Sequence, residues 1–135
     1  MIVFPIKRVA KRKGFKQYSI DVLVKVGYSC GDVEKRLPIP GMFITKDLFG
    51  FIDVIAIKPS VGIVGVQATS KNCLKDHVDK CASNEEIKKW MASGGHMMML
   101  VWYKRVDGMY FDTWVAKLDG WEVVWQKYAL GVLSP

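Results

Sequence analysis

Between Phe51 and Thr69 the chain consists of two almost unbroken apolar runs. They are Phe51-Ile52-Asp53-Val54-Ile55-Ala56-Ile57-Lys58 and Val61-Gly62-Ile63-Val64-Gly65-Val66-Gln67-Ala68-Thr69, divided by Pro59-Ser60. Both are strand-length and rich in β-branched residues, which predicts strands over 50–58 and 61–69. Strands apolar on both faces belong in the middle of a sheet covered on both sides. Two polar side chains interrupt them, Asp53 and Gln67. An acid on an otherwise apolar strand costs free energy unless it is paired or holds a metal. A hairpin of these strands would set Asp53 beside Gln67. Alternation puts Phe51, Asp53, Ile55 and Ile57 on one face, to meet Ile63, Gly65, Gln67, Thr69 and, if the strand continues, Lys71. Asp47, upstream of the first strand, is within reach of the same mouth.

Elsewhere the periodicities are mixed. Phe15, Tyr18, Val22 and Val26 recur at helical spacing and predict a helix over 15–27 stopped by Gly27, with a strand over 20–26 as the alternative that the valines allow. A first strand is read over 28–36, then a loop at Pro38, Pro40 and Gly41. Residues 72–92 read as helix in two pieces, the second opened by a capping box with Ser83 as cap and Glu86 three residues on, and ended by Gly94-Gly95. The runs Met97–Tyr103, Tyr110–Leu118 and Trp121–Trp125, separated by Asp107-Gly108 and Asp119-Gly120, predict a three-stranded meander. A helix between the 61–69 and 97–103 strands makes a β-α-β crossover, so the expected class is α/β with a mixed central sheet flanked by helices.

At 135 residues, half of them hydrophobic, the chain fits one domain over 1–135 with a substantial core. The apolar runs are too short and too often broken by charge to span a bilayer, and the first residues lack the order of a secretory signal, so no membrane partner is expected. Cys30, Cys73 and Cys81 are an odd count without a close pattern and read as reduced thiols in a cytoplasmic protein. Cys73, His77 and Cys81 share a helical face, but the outer two lie about 12 Å apart along the axis, and an apolar stripe with one histidine is the simpler reading. The net charge is +7 and the pI about 9.4. Residues 1–16 carry Lys7, Arg8, Lys11, Arg12, Lys13 and Lys16 with no acid, so an arm over 1–14 and its continuation suit a phosphate backbone, or else serve only solubility.

The strings Lys46-Asp47-Leu48-Phe49-Gly50-Phe51-Ile52-Asp53 and Val66-Gln67-Ala68-Thr69-Ser70, the Asp-x(13)-Gln-x-Thr spacing and the helix after it resemble the PD-(D/E)XK nuclease superfamily. The likeness spans roughly residues 15–105 and is nearest to small phage-type members related to Holliday-junction resolvases and VRR-type nucleases. It implies a restriction-endonuclease-like αβββαβ core, a DNA substrate, Mg²⁺ or Mn²⁺ as cofactor and a homodimer. Asp53 matches the metal-binding acid and Gln67 the second acidic position. Thr69 stands where the family has lysine, with Lys71 or Lys46 as candidate substitutes. Asp47 and Glu34 are candidate further metal ligands, since an amide alone brings no charge to a divalent ion. The function so implied is metal-dependent hydrolysis of DNA phosphodiester bonds. The alternative is a catalytically weak or inactive nucleic-acid-binding module of the same fold, favoured by Gln67 and Thr69. The plainer readings of these residues are a strand-end acid bonded to backbone (Asp53), a satisfied polar group (Gln67), a turn ion pair (Lys46 and Asp47) and a solvated charge cluster (Glu34).

Overall fold

The computed structural model describes residues 14–42 and 45–128. Its first element is helix α1, Phe15–Lys25, which ends where Gly27 takes a φ of +100°. The Tyr28 N–H donates to the Leu23 carbonyl and the Gly27 N–H to that of Val24, the paired bonds that close a helix through a left-handed glycine. The helix read over 15–27 is therefore the form adopted, not the strand alternative over 20–26. The strand expected over 28–36 is split. Strand β1 is only Ser29–Asp32, and Lys35–Arg36 (β2) turns away to pair with Thr45–Lys46 (β3) as a separate ribbon.

The strands β4 (Val54–Lys58), β5 (Gly62–Ser70), β6 (His96–Arg105), β7 (Gly108–Asp119) and β8 (Glu122–Tyr128) join β1 in a six-stranded sheet of order β1-β4-β5-β6-β7-β8. Only β5 and β6 run parallel, with Gln67 opposite Met99 and Thr69 opposite Val101; the other neighbours are antiparallel. The crossover between them is a 3₁₀ turn at Lys71–Cys73 followed by α2 (Leu74–Ala82) and α3 (Glu85–Ala92). The described chain is thus mixed α/β, with a mixed sheet and three α-helices, and none of these is long and apolar enough to cross a membrane. The meander forms as expected, but its two-residue loops are centred on Val106-Asp107 and Gly120-Trp121, not on the Asp-Gly steps.

The sheet is covered on both faces. Even-numbered residues of β4, β5 and β6 (Val54, Ala56, Val64, Val66, Met98, Leu100 and Trp102) pack under α1 through Val22 and Leu23. The buried Trp102 Nε1 donates to Ser19 Oγ at 2.8 Å, and Ser19 donates to the Phe15 carbonyl, so this polar joint in the layer is satisfied. On the other face Cys81 and Ile87 of α2 and α3 pack against Ile52, Met97, Met99 and Val101. Each such aliphatic side chain contributes about 1.5–3 kcal/mol by leaving water.

Ile52 reaches this second layer by lying over Gly65. A Cβ at Gly65 would meet Ile52 Cδ1 at 2.7 Å and Met97 Sδ at 2.8 Å. Gly65→Ala is therefore expected to cost about 1–3 kcal/mol, read as a lowered denaturation midpoint at unchanged m-value.

The expected cap of the second helical piece is corrected. Ser83 ends α2 and donates to the Lys80 carbonyl, while Asn84 caps α3 by accepting the Ile87 N–H at 3.1 Å. Asn84 Nδ2 also donates to the Phe49 carbonyl at 2.8 Å. Asn84→Ala removes both bonds and is expected to lower stability by about 1–2 kcal/mol in chemical denaturation.

Candidate metal centre

The strand expected over 50–58 begins only at Val54, because the residues before it make a turn. Phe49 and Gly50 both have positive φ, +54° and +72°, and the Phe51 N–H donates back to the Leu48 carbonyl. Two left-handed residues in succession are the hairpin-type reversal that matches strand twist. Leu48 and Ile52 then bridge each other. A phenylalanine at positive φ is strained, and it is held by the Asn84 bond and by its ring against Trp90, centroids 6.3 Å apart. This reversal folds Asp47 back over Asp53.

Three ladders converge on the same point, each extended by one residue. The β1–β4 register leads Val33 to Asp53, whose carbonyl accepts the Val33 N–H at 3.0 Å. The β2–β3 register, Lys35 opposite Lys46, brings Glu34 opposite Asp47. The β4–β5 register, Val54 opposite Val66, brings Asp53 opposite Gln67, and Asp53 N–H donates to the Val66 carbonyl at 2.9 Å. The result is a cluster in which carboxylate oxygens of Glu34, Asp47 and Asp53 all lie within 4.8 Å of one another.

Asp53, Gln67 and Thr69 are each only 4% exposed, on the sheet face that α2 and α3 cover. The Ala68 N–H donates to Asp53 Oδ2 at 3.1 Å. Burial, a hydrogen bond shared with Asp47 and the fields of Asp47 and Glu34 push the Asp53 carboxyl up to about 8, against the pull of the Ala68 N–H. Such a group is a proton carrier near neutral pH unless a cation replaces the proton. Gln67 Oε1 is buried with no hydrogen-bond partner, while its Nε2 makes one long bond of 3.4 Å to the Ala68 carbonyl. An orphaned amide oxygen on the residue opposite Asp53, beside the three carboxylates, makes a donor set of hard oxygens, which fits Mg²⁺ or Mn²⁺.

Lys16 is drawn into the same region. Its Nζ lies 2.9 Å from Asp32 Oδ2 and 3.0 Å from Glu34 Oε1. Burial opposes its charge, but the bonds to Asp32 and Glu34 outweigh that and raise its pKa. Lys16 therefore holds an acid of the cluster. Lys7, Arg8, Lys11, Arg12 and Lys13 lie outside the described residues. Lys46 is exposed on β3, and Lys71 is exposed just past β5 with its Nζ 5.2 Å from the Tyr103 ring centroid. Neither ammonium makes an ion pair with the three acids in the described structure.

The Thr69 hydroxyl makes only a 3.4 Å bond to the Ser70 carbonyl. On α2, the His77 ring packs edge-on against Phe51, centroids 6.1 Å apart, and burial holds its pKa below the ordinary value while Asp47 opposes that. The soft triad of the sequence does not assemble. Cys73 is exposed ahead of α2, whereas burial pushes the Cys81 thiol up to about 12. Lys16 as a partner of Glu34 escapes sequence reasoning, because nothing in spacing alone aligns a helix lysine with a loop acid beyond the next strand.

Comparison with protein-family models, curated proteins and solved structures gives no significant match.

Proposed function

We propose that the chain is a divalent-metal-dependent nuclease that hydrolyses DNA phosphodiester bonds, with a core of the restriction-endonuclease-like kind. The observation that carries the reading is the unpartnered, buried Oε1 of Gln67, a residue opposite Asp53 in the β4–β5 register, with the Asp53 carboxyl packed with those of Asp47 and Glu34. Three clustered acids repel one another, and a buried carboxylate without a counter-charge is costly, so the arrangement favours a bound cation over an empty site. The likeness of the 46–53 and 66–70 strings to PD-(D/E)XK nucleases supports the same reading.

Asp53, Asp47, Glu34 and the Gln67 amide oxygen would hold Mg²⁺ or Mn²⁺. Such an ion would supply Lewis acidity toward a water and a phosphoryl oxygen. The chain's own groups do the rest. Asp53 would give up its proton as the ion takes its place, and the Ala68 N–H holds its Oδ2 at 3.1 Å. Lys16 holds Glu34 in place and offsets one of the negative charges. The covering helices keep Gln67 and Thr69 out of bulk water, which strengthens every charge interaction in the pocket.

Thr69 favours a second reading, a nucleic-acid-binding module with weakened or lost catalysis, since its hydroxyl carries no charge toward a developing phosphorane. One assay separates the two. Linear, nicked, flap and four-way DNA are incubated with Mg²⁺ or Mn²⁺. Cleavage of at least one form is the expected outcome, and salt-sensitive binding with every form uncut would leave only the binding module.

A further inference from the structure

We infer that the edge formed by the carboxyl ends of β5 and β6, with the neighbouring ends of β7 and β8, is a preformed track for a DNA phosphate backbone leading away from the candidate metal centre. This rests on the nucleic-acid reading above. The track starts from register. Thr69 lies opposite Val101, and Val101 opposite Asp112, so Lys71, Tyr103, Tyr110 and Asp112 continue on the face that carries Asp53 and Gln67. Along β5, Lys71 is four residues beyond Gln67, about 13 Å at the strand rise.

The cations on this edge are pinned to aromatic faces and not to acids in the cluster. Lys71 Nζ is 5.2 Å from the Tyr103 centroid. Arg105 Cζ sits 5.5 Å from Tyr103 and 5.1 Å from Tyr110, whose rings stack at 5.9 Å and 21°. Lys127 Nζ lies 6.0 Å from Trp114 and 3.4 Å from Asp112, the one acid in direct ion pairing here. The Tyr110 hydroxyl donates to Asp107 Oδ2 at 2.7 Å, which holds its ring against that of Tyr103. Lys71 and Arg105 remain exposed.

A cation held over a ring keeps its charge and its outward hydrogen-bond donors while losing little further rotamer freedom on binding. The Tyr103 ring has Lys71, Arg105 and Tyr110 packed against it, so what it presents outward is charge suited to phosphates. The recognition is sequence-independent.

The test is DNA binding with Ca²⁺ as the divalent ion, across a salt series, for the full chain and its variants. Lys71→Ala and Arg105→Ala are each expected to weaken binding about tenfold at low salt and to reduce the slope of log affinity against log salt by about 1, equally for unrelated sequences. Lys71→Arg restores the slope. Tyr103→Leu keeps every charge but frees the cations, so affinity falls with the slope little changed. Lys117→Ala, on the opposite face of β7, leaves both unchanged. Thermal melts confirm that each variant is folded. If the wild type binds and cleaves while Lys71→Ala and Arg105→Ala bind like it, the track is overturned and the metal-centre reading stands. If the wild type neither binds nor cleaves any DNA, both are overturned together.

Discussion

Asp53→Asn is expected to abolish Mg²⁺- or Mn²⁺-dependent DNA cleavage, by roughly 10³-fold or more, with the fold retained. The substitution keeps the shape and can keep the bond from the Ala68 N–H, so β4 and β5 stay in register. What it removes is the buried charge of the acid cluster, the member whose carboxylate lies within 4.8 Å of those of Glu34 and Asp47 and whose backbone is opposite Gln67 in the β4–β5 register. Glu34→Gln and Asp47→Asn remove outer members and should reduce cleavage less, and the loss should recover in part at raised Mn²⁺ concentration. Activity is read as initial cleavage rate and folding as far-UV circular dichroism. An Asp53→Asn protein that cuts like the wild type would end the proposal.

The second large effect is on stability. Without a divalent ion, the folded protein is expected to become less stable as pH rises from about 4 to about 8. Asp53 has an ordinary value of 3.8 when unfolded and about 8 when folded, so between these values the native state binds the extra proton. Stability rises with pH only where the unfolded state binds more protons, and here the reverse holds. The contribution is fully present below pH 4 and is lost as the pH approaches 8, an effect on the order of several kcal/mol for this one group.

A divalent ion should reverse the trend. At about 100 times its dissociation constant it adds roughly 2.7 kcal/mol, and its binding near neutral pH should release close to one proton. Melting temperature measured across the pH range, with and without Mg²⁺ or Mn²⁺, checks both parts. Asp53→Asn should flatten the metal-free profile. A wild-type profile that is flat in that range and insensitive to either ion would remove the case for a metal centre.

Much of this was legible in the residues, and the limits have physical causes. The Asp53–Gln67 pairing follows from strand alternation and the length of one short turn, both local, and the structure places the two on one sheet face in direct opposition. The α/β class, the split helix and the parallel crossover follow from periodicity. The start of β4 does not, because Phe-Gly-Phe-Ile reads as strand while Phe49 accepts a strained φ for the sake of a turn held from α3. The α3 cap was misplaced by one residue because Ser83 and Asn84 are both good caps and only the end of α2 decides between them. Glu34 joins the cluster through a two-residue ribbon whose strands lie on either side of a proline loop, a pairing that no periodicity reports. The pinned cations of the β6–β7 edge depend on register across three strands, and so became visible only with the sheet assembled.

The crowding of Glu34, Asp47 and Asp53 has a consequence for the order of events. With no ion present and Asp53 deprotonated, the carboxylates of the mouth outnumber the Lys16 charge and repel an approaching phosphodiester. An ion that neutralises them must raise affinity for the nucleic acid, and by reciprocity the nucleic acid must tighten the ion by the same factor. The two ligands are therefore thermodynamically coupled, and half-saturation by either one falls as the other is supplied.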